Sequence, residues 1–208
     1  YPPQPVYGCM ITSFLTPSTQ SRYTNPPELK QEVEDLIGEY MLDVEGFRTE
    51  DKGSLLQEIY RMTDKRLAVV KHLAQTKPWR FFMYVEMGPD RMHHAFWKYS
   101  DPQHPKHVPG SPFEHAIKDY YKHIDGQVGE LLDLLDNDTI VLVVSDHGAK
   151  RMDGGICINE WLRREGYLVL KVEPPEGLVP LTKVEVDWGK TRAWGAGGYY
   201  GRVFLNVQ

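Results

Sequence analysis

The run Ile140-Val141-Leu142-Val143-Val144 constrains this chain more than any other stretch. All of it is apolar and only Leu142 is not β-branched, so neither face of an extended segment would suit water. Such a run reads as a strand covered on both sides, the situation inside a parallel sheet sandwiched by helices. Apolar residues at helical spacing precede it between Phe113 and Leu135, and before those comes another apolar run, Trp79 to Met87. Strand, loop, helix, strand is a βαβ unit with a right-handed crossover. The expectation is an α/β fold: a mostly parallel sheet with helices on both faces.

The rest of the chain adds packing elements. Pro26-Pro27 suits the entry to a helix, and Leu29, Val33, Leu36, Ile37 and Tyr40 then share one face. A second helix follows Gly53, with Ser54 as its N-cap and Gln57 three residues on. Its buried stripe is Leu56, Ile59, Tyr60, Leu67 and Val70, and Pro78 closes it. The segment from Asp90 to Pro112 holds four of the eight histidines and reads as a long loop of the kind that carries function. Past the central run, Asn159 caps a short helix ending at Gly166, and strands follow at Tyr167 to Val172 and Arg202 to Val207.

At 208 residues one domain is the default, with 1–78 as a helical and irregular lead-in and 79–207 carrying the chemistry. A net charge of −5 argues against a nucleic acid polymer or an anionic membrane as partner. No apolar run approaches the roughly 20 residues of a membrane span, and no signal peptide is visible. The two cysteines, Cys9 and Cys157, match no metal or redox spacing and read as core residues of a protein in a reducing, cytoplasmic setting.

Two clusters carry chemistry. Asp146 and His147 stand directly after the central run, and Gly148 lets the chain turn behind them. Ligands of open α/β sheets sit beyond the carboxyl ends of the strands. Asp90-Arg91-Met92-His93-His94 follows the preceding strand, and Asp90 and His94 share a face if that segment turns helically. Two carboxylates and two imidazoles suit zinc, with manganese as the alternative. The plain reading of the same residues is a turn at Asp146, an N-cap at Asp90 and solvated histidines. Arg91, His93 and Lys150 are candidates to meet an anionic substrate, or ordinary surface charges.

Ser145-Asp146-His147-Gly148 after a buried strand, with Pro89-Asp90 and His94 after the preceding one, resembles the alkaline phosphatase superfamily. The closest likeness is to its type I phosphodiesterase/nucleotide pyrophosphatase branch. Gly154-Gly155, Asn159-Glu160-Trp161-Leu162, Gly166-Tyr167-Leu168 and Gly198-Tyr199-Tyr200-Gly201-Arg202 through Asn206 are similar to what that branch carries. The resemblance implies two divalent metal ions, one held by Asp90 and His94 and the other by Asp146 and His147. It implies a small phosphate-ester or nucleotide substrate, attacked by a Thr or Ser nucleophile. Phosphomonoesterase, phosphomutase and sulfatase chemistry use the same cage, and a non-catalytic metal-binding domain is the reading from another class.

The chain departs from that pattern twice. The family's first metal-binding Asp and its nucleophile stand early, and no aspartate precedes Thr12, Ser13, Thr16 or Ser18 here. The family's last metal-binding His lies downstream of the final strand, and no His follows His147. The expectation is an internal piece of a longer enzyme with an incomplete sheet, the alternative a member that has lost its chemistry.

Overall fold

The structure is a computed structural model and describes residues 1–198 and 200–207. It divides into two compact units, Tyr1–Met152 and Asp153–Gln208.

The first unit is built on helices. A short antiparallel pair, β1 (Met10–Ile11) and β2 (Thr24–Asn25), precedes α1 (Leu29–Ile37). The long α2 (Lys52–Thr76), α3 (Gly88–Ser100) and α4 (Ala116–Leu132) follow. The start of α2 is capped by Asp51, whose carboxylate accepts from the Ser54 backbone N–H at 3.0 Å. Asp51 therefore holds the place that the capping-box pattern assigns to Ser54. The helix stops because Lys77 precedes Pro78, which crowds helical geometry at the residue before it; Lys77 is extended at φ −108, ψ 140. The same rule stops α3 at Asp101, ahead of Pro102.

α2 is long enough to bury two stripes. One carries Leu55, Ile59 and Met62 against Met92 and Phe96 of α3 and Tyr120 of α4. The other carries Val69 and Leu73 against Leu29 and Val33 of α1, with Tyr23 and Tyr40 stacked beside them at 5.6 Å. Each fully buried side chain of this size contributes about 1.5–3 kcal/mol, so α2 is the structural spine of the unit. The stripe read from periodicity is rotated slightly: Leu56 and Tyr60 only border the first cluster.

The parallel sheet is where sequence and structure part. Trp79 to Met87 forms no strand, with Phe82 partly buried while Phe81, Met83 and Val85 stay exposed. Ile140 to Val144 forms no strand either, and all its residues are exposed, Val143 at 88 %. Among the described residues neither run has a ladder partner, and the strands pair only as β1 with β2 and β3 with β4. β-branched residues make a run extended on their own, but a ladder needs neighbours from elsewhere in the chain. α4 is likewise buried only at Ala116 and Tyr120, and Tyr121 lies half exposed.

In the second unit α5 (Ile158–Arg164) packs Leu162 against Leu168, Val186 and Ala193. β3 (Ala193–Ala196) and β4 (Arg202–Leu205) pair antiparallel, and Trp194 stacks on Phe204 at 5.4 Å. Asn159 is no cap. Its side-chain N–H₂ donates to the Gly195 carbonyl at 2.8 Å, and its oxygen accepts from the Gly195 N–H at 2.6 Å. Gly166 ends α5 at φ 77, as its position past the last turn predicts. Tyr167 to Val172 contributes one isolated bridge, Leu170 to Val186, in place of a strand. Cys9 and Cys157 are exposed rather than core residues, one in irregular chain and the other just before α5. Tyr199 lies outside the described residues.

Candidate functional site

The segment read as a loop after residue 88 starts with a helix, and this decides the local geometry. Pro89 fits the first turn, where its missing N–H costs nothing. Gly88 stands against the Tyr120 ring: an added Cβ would lie 1.5 Å from the Tyr120 hydroxyl oxygen. Met92, Ala95 and Phe96 then anchor one face of α3 in the core. That leaves Asp90 and His94, one turn apart, together on the open side. Asp90 Oδ1 and His94 Nε2 are 3.4 Å apart.

Arg91 ties this pair to a residue distant in sequence. Its Nε and Nη2 donate to the two carboxylate oxygens of Asp43 at 2.8 and 2.6 Å, and its Nη1 donates to Asp90 Oδ2 at 2.7 Å. The guanidinium lies over the Phe47 ring at 5.2 Å and near Phe14 at 5.9 Å. Its side chain is only 15 % exposed. The Asp43 carboxylate holds the Arg91 pKa above its already high value, against the opposing effect of burial. Phe47 also meets the His94 ring edge-on at 5.9 Å.

His93 points elsewhere. It stacks on Tyr121 and meets Trp97, and the Tyr121 hydroxyl lies 3.1 Å from its Nε2. Burial pushes its pKa down, Asp90 opposes this, and the charges of His94 and His147 add to the lowering. Asp146 and His147 sit on exposed chain, Asp146 with 90 % of its side chain in solvent, and their closest charged atoms are 3.8 Å apart. His147 Nδ1 is 2.8 Å from the Gly148 carbonyl. A carbonyl only accepts, so Nδ1 carries the proton, and in the neutral ring Nε2 keeps its lone pair. The Gly148 carbonyl, then Asp146 and Asp90, raise the His147 pKa. Asp90, His93 and His147 thus lie within reach of one another's fields. Lys150 is exposed.

The donor types suit a divalent ion. Two ligands on a tetrahedral zinc at about 2.0–2.2 Å stand roughly 3.3–3.6 Å apart, and the Asp90–His94 separation falls in that range. Among the described residues no three His, Cys, Asp or Glu side chains gather around one point. The site consists of two pairs, one on a rigid helix and one on a segment with no ladder to hold it.

At the start of α3 lies a half-buried carboxyl. Glu86 Oε1 accepts from the Gly88 N–H at 2.8 Å and from Thr63 Oγ1 at 3.1 Å, and Thr63 shares a 2.7 Å hydrogen bond with Tyr120. Tyr84 bonds the other oxygen. Burial raises the Glu86 pKa, and the Gly88 N–H and Arg66 offset this only in part. The folded state therefore holds this proton more tightly than the unfolded chain does. Its contribution to stability is complete below the ordinary carboxylate pKa of about 4.3 and is lost as pH rises through the folded value. Glu86→Gln is expected to gain in melting temperature relative to the unsubstituted protein as pH goes from 4 to 7. A difference that stays flat with pH, read by circular dichroism, would remove this role for Glu86.

With the geometry in place, comparison with known proteins is informative. The family model for type I phosphodiesterase / nucleotide pyrophosphatase matches residues 5–208. The chain belongs to that family. Type I phosphodiesterases / nucleotide pyrophosphatases are hydrolases of the alkaline phosphatase superfamily and are generally metal-dependent. The family implies an alkaline phosphatase-like α/β fold, of which the described residues show the helices and only short antiparallel strands. No curated protein and no solved structure matches the chain. No helix among the described residues is long and apolar enough to cross a membrane.

Reasoning from sequence missed Asp43 and Phe47. Both stand in irregular chain between α1 and α2, more than forty positions from α3. No spacing rule joins them to Arg91; only packing does.

Proposed function

We propose that this chain contributes to a metal-dependent centre that hydrolyses a phosphodiester or nucleotide pyrophosphate bond in a small substrate. Asp90 and His94 would hold one divalent ion, Asp146 and His147 a second, with zinc as the first choice and manganese the alternative. Ions so held would lower the pKa of the attacking oxygen and offset charge on the phosphoryl group. The observation that carries the reading is the Asp90–His94 pair, 3.4 Å apart on the open face of α3, in a chain matched by this family along 5–208.

The residues have separate tasks in this reading. α3 gives Asp90 and His94 a fixed spacing because its opposite face is locked in the core. The Gly148 carbonyl holds His147 in the tautomer that leaves Nε2 free, as outer partners of ligating histidines do. Lys150 and His93 would meet the substrate phosphate, Lys150 as an exposed point charge and His93 through a ring whose pKa burial lowers.

The test is turnover of a chromogenic phosphodiester and of the matching monoester by the complete gene product, with zinc or manganese added. The diester is expected to turn over at least about tenfold faster, a difference of roughly 1.4 kcal/mol in the barrier. Faster monoester turnover would move the assignment to phosphomonoesterase chemistry. No turnover of either would favour a binding role.

A further inference from the structure

Asp43 is the least expected member of the charged cluster on α3, and its position poses a question of competition. A guanidinium fork matches both oxygens of one carboxylate. Arg91 is adjacent to Asp90 and at 2.7 Å from Oδ2 it is already engaged there. Turned fully onto Asp90, the fork would cover Oδ1 as well, the oxygen that faces His94 at 3.4 Å. Asp43 prevents this. It takes Nε and Nη2 at 2.8 and 2.6 Å and leaves Arg91 only Nη1 for Asp90. The Phe47 and Phe14 rings lie 5.2 and 5.9 Å from the guanidinium.

We propose that Asp43 is a positioning residue for cation binding: by holding the Arg91 fork it keeps Asp90 Oδ1 open beside His94. This rests on the reading of Asp90 and His94 as ligands. Asp43 also balances the charge. Asp43, Arg91 and Asp90 sum to −1, which favours a cation; without Asp43 the sum is zero, and Arg91 is left to its neighbour.

The experiment titrates zinc into the full chain against a competing chromophoric chelator, with thermal unfolding of every variant as the check on folding. The unsubstituted protein is expected to bind zinc and Asp90→Ala to lose that binding. Asp43→Asn is expected to bind about 10–100-fold more weakly, the range for loss of an outer partner. Arg91→Met, which keeps an apolar stem between Phe47 and Phe14, is expected to stay within about threefold of the unsubstituted protein, since a point charge no longer opposes the ion. The decisive variant is the double one: Asp43→Asn with Arg91→Met is expected to recover most of the loss, because no fork remains to close on Asp90. A merely structural role, neutralising the largely buried Arg91, would also recover in the double variant, so the positioning role requires that Asp43→Asn lose affinity with its melting temperature unchanged, and a loss that only parallels a fall in melting temperature overturns it.

Unchanged affinity in Asp43→Asn, or a double variant as weak as Asp43→Asn, overturns the role of Asp43. If Asp43→Asn does not fold, a tenfold loss in Arg91→Met alone overturns it. Absence of zinc binding by the unsubstituted protein, or binding untouched in Asp90→Ala, overturns the ligand assignment beneath it.

Discussion

Phe96→Ala is expected to destabilise the first unit by about 3–5 kcal/mol, the range for removing a buried aromatic ring and leaving a cavity. Phe96 is fully buried, and its ring meets Phe113 at 5.5 Å and Tyr99 at 6.2 Å. It faces the α2 stripe from the side of α3 opposite to Asp90 and His94, so the cavity would loosen the helix that spaces them. For a unit of this size each kcal/mol moves the midpoint by roughly 2–4 °C, so a fall of about 6–20 °C is expected. Val143→Ala supplies the contrast. That side chain is 88 % exposed, and surface changes stay within about 0.5 kcal/mol. Urea unfolding followed by circular dichroism reads both. A cost below about 1 kcal/mol for Phe96→Ala would mean that α3 is not seated as described, and a cost above 1 kcal/mol for Val143→Ala would mean the central run is packed in solution.

Asp90→Ala carries the second large effect, on function. Loss of an outer partner of a metal ligand costs about 10–100-fold, and loss of a ligand should exceed that, so phosphodiester turnover is expected to fall more than about 100-fold. Bound zinc or manganese should fall with it in elemental analysis. Stability should move little, because Asp90 is partly exposed and Arg91 keeps Asp43 as its partner. Asp119→Ala is the control: an exposed acid in the first turn of α4, paired with Lys122 at 3.5 Å. Equal turnover and metal content in Asp90→Ala and Asp119→Ala would end the assignment of Asp90.

Helices were legible where an apolar stripe met a clean stop. α1, α2 and α4 form where periodicity places helices because i, i+3 and i+4 neighbours are set by the chain itself, while the face each buries was less legible: α4 buries only Ala116 and Tyr120. α3 was not legible as a full helix, since its histidines and the prolines after it read as loop and its burial depends on the partner faces of α2 and α4. The N-cap of α2 was displaced by three residues for a related reason: Asp51 and Ser54 are both good caps, and only the path of the incoming chain chooses between them. Asn159 was misread because a side chain that satisfies a distant Gly195 leaves the same local signature as a cap.

Composition and order alone determined that this chain has extended apolar runs, amphipathic helices, and acid–imidazole pairs at Asp90/His94 and Asp146/His147. Those are local properties, written in residue type and spacing. Only the tertiary structure decided which of them are held. α3 fixes Asp90 and His94 because its other face is buried, and Asp43 meets Arg91 across more than forty residues, with the Phe47 and Phe14 rings beside the guanidinium. Ile140 to Val144 stays open because pairing between strands is a contract among distant segments, and burial, unlike helical spacing, cannot be satisfied by neighbours in sequence.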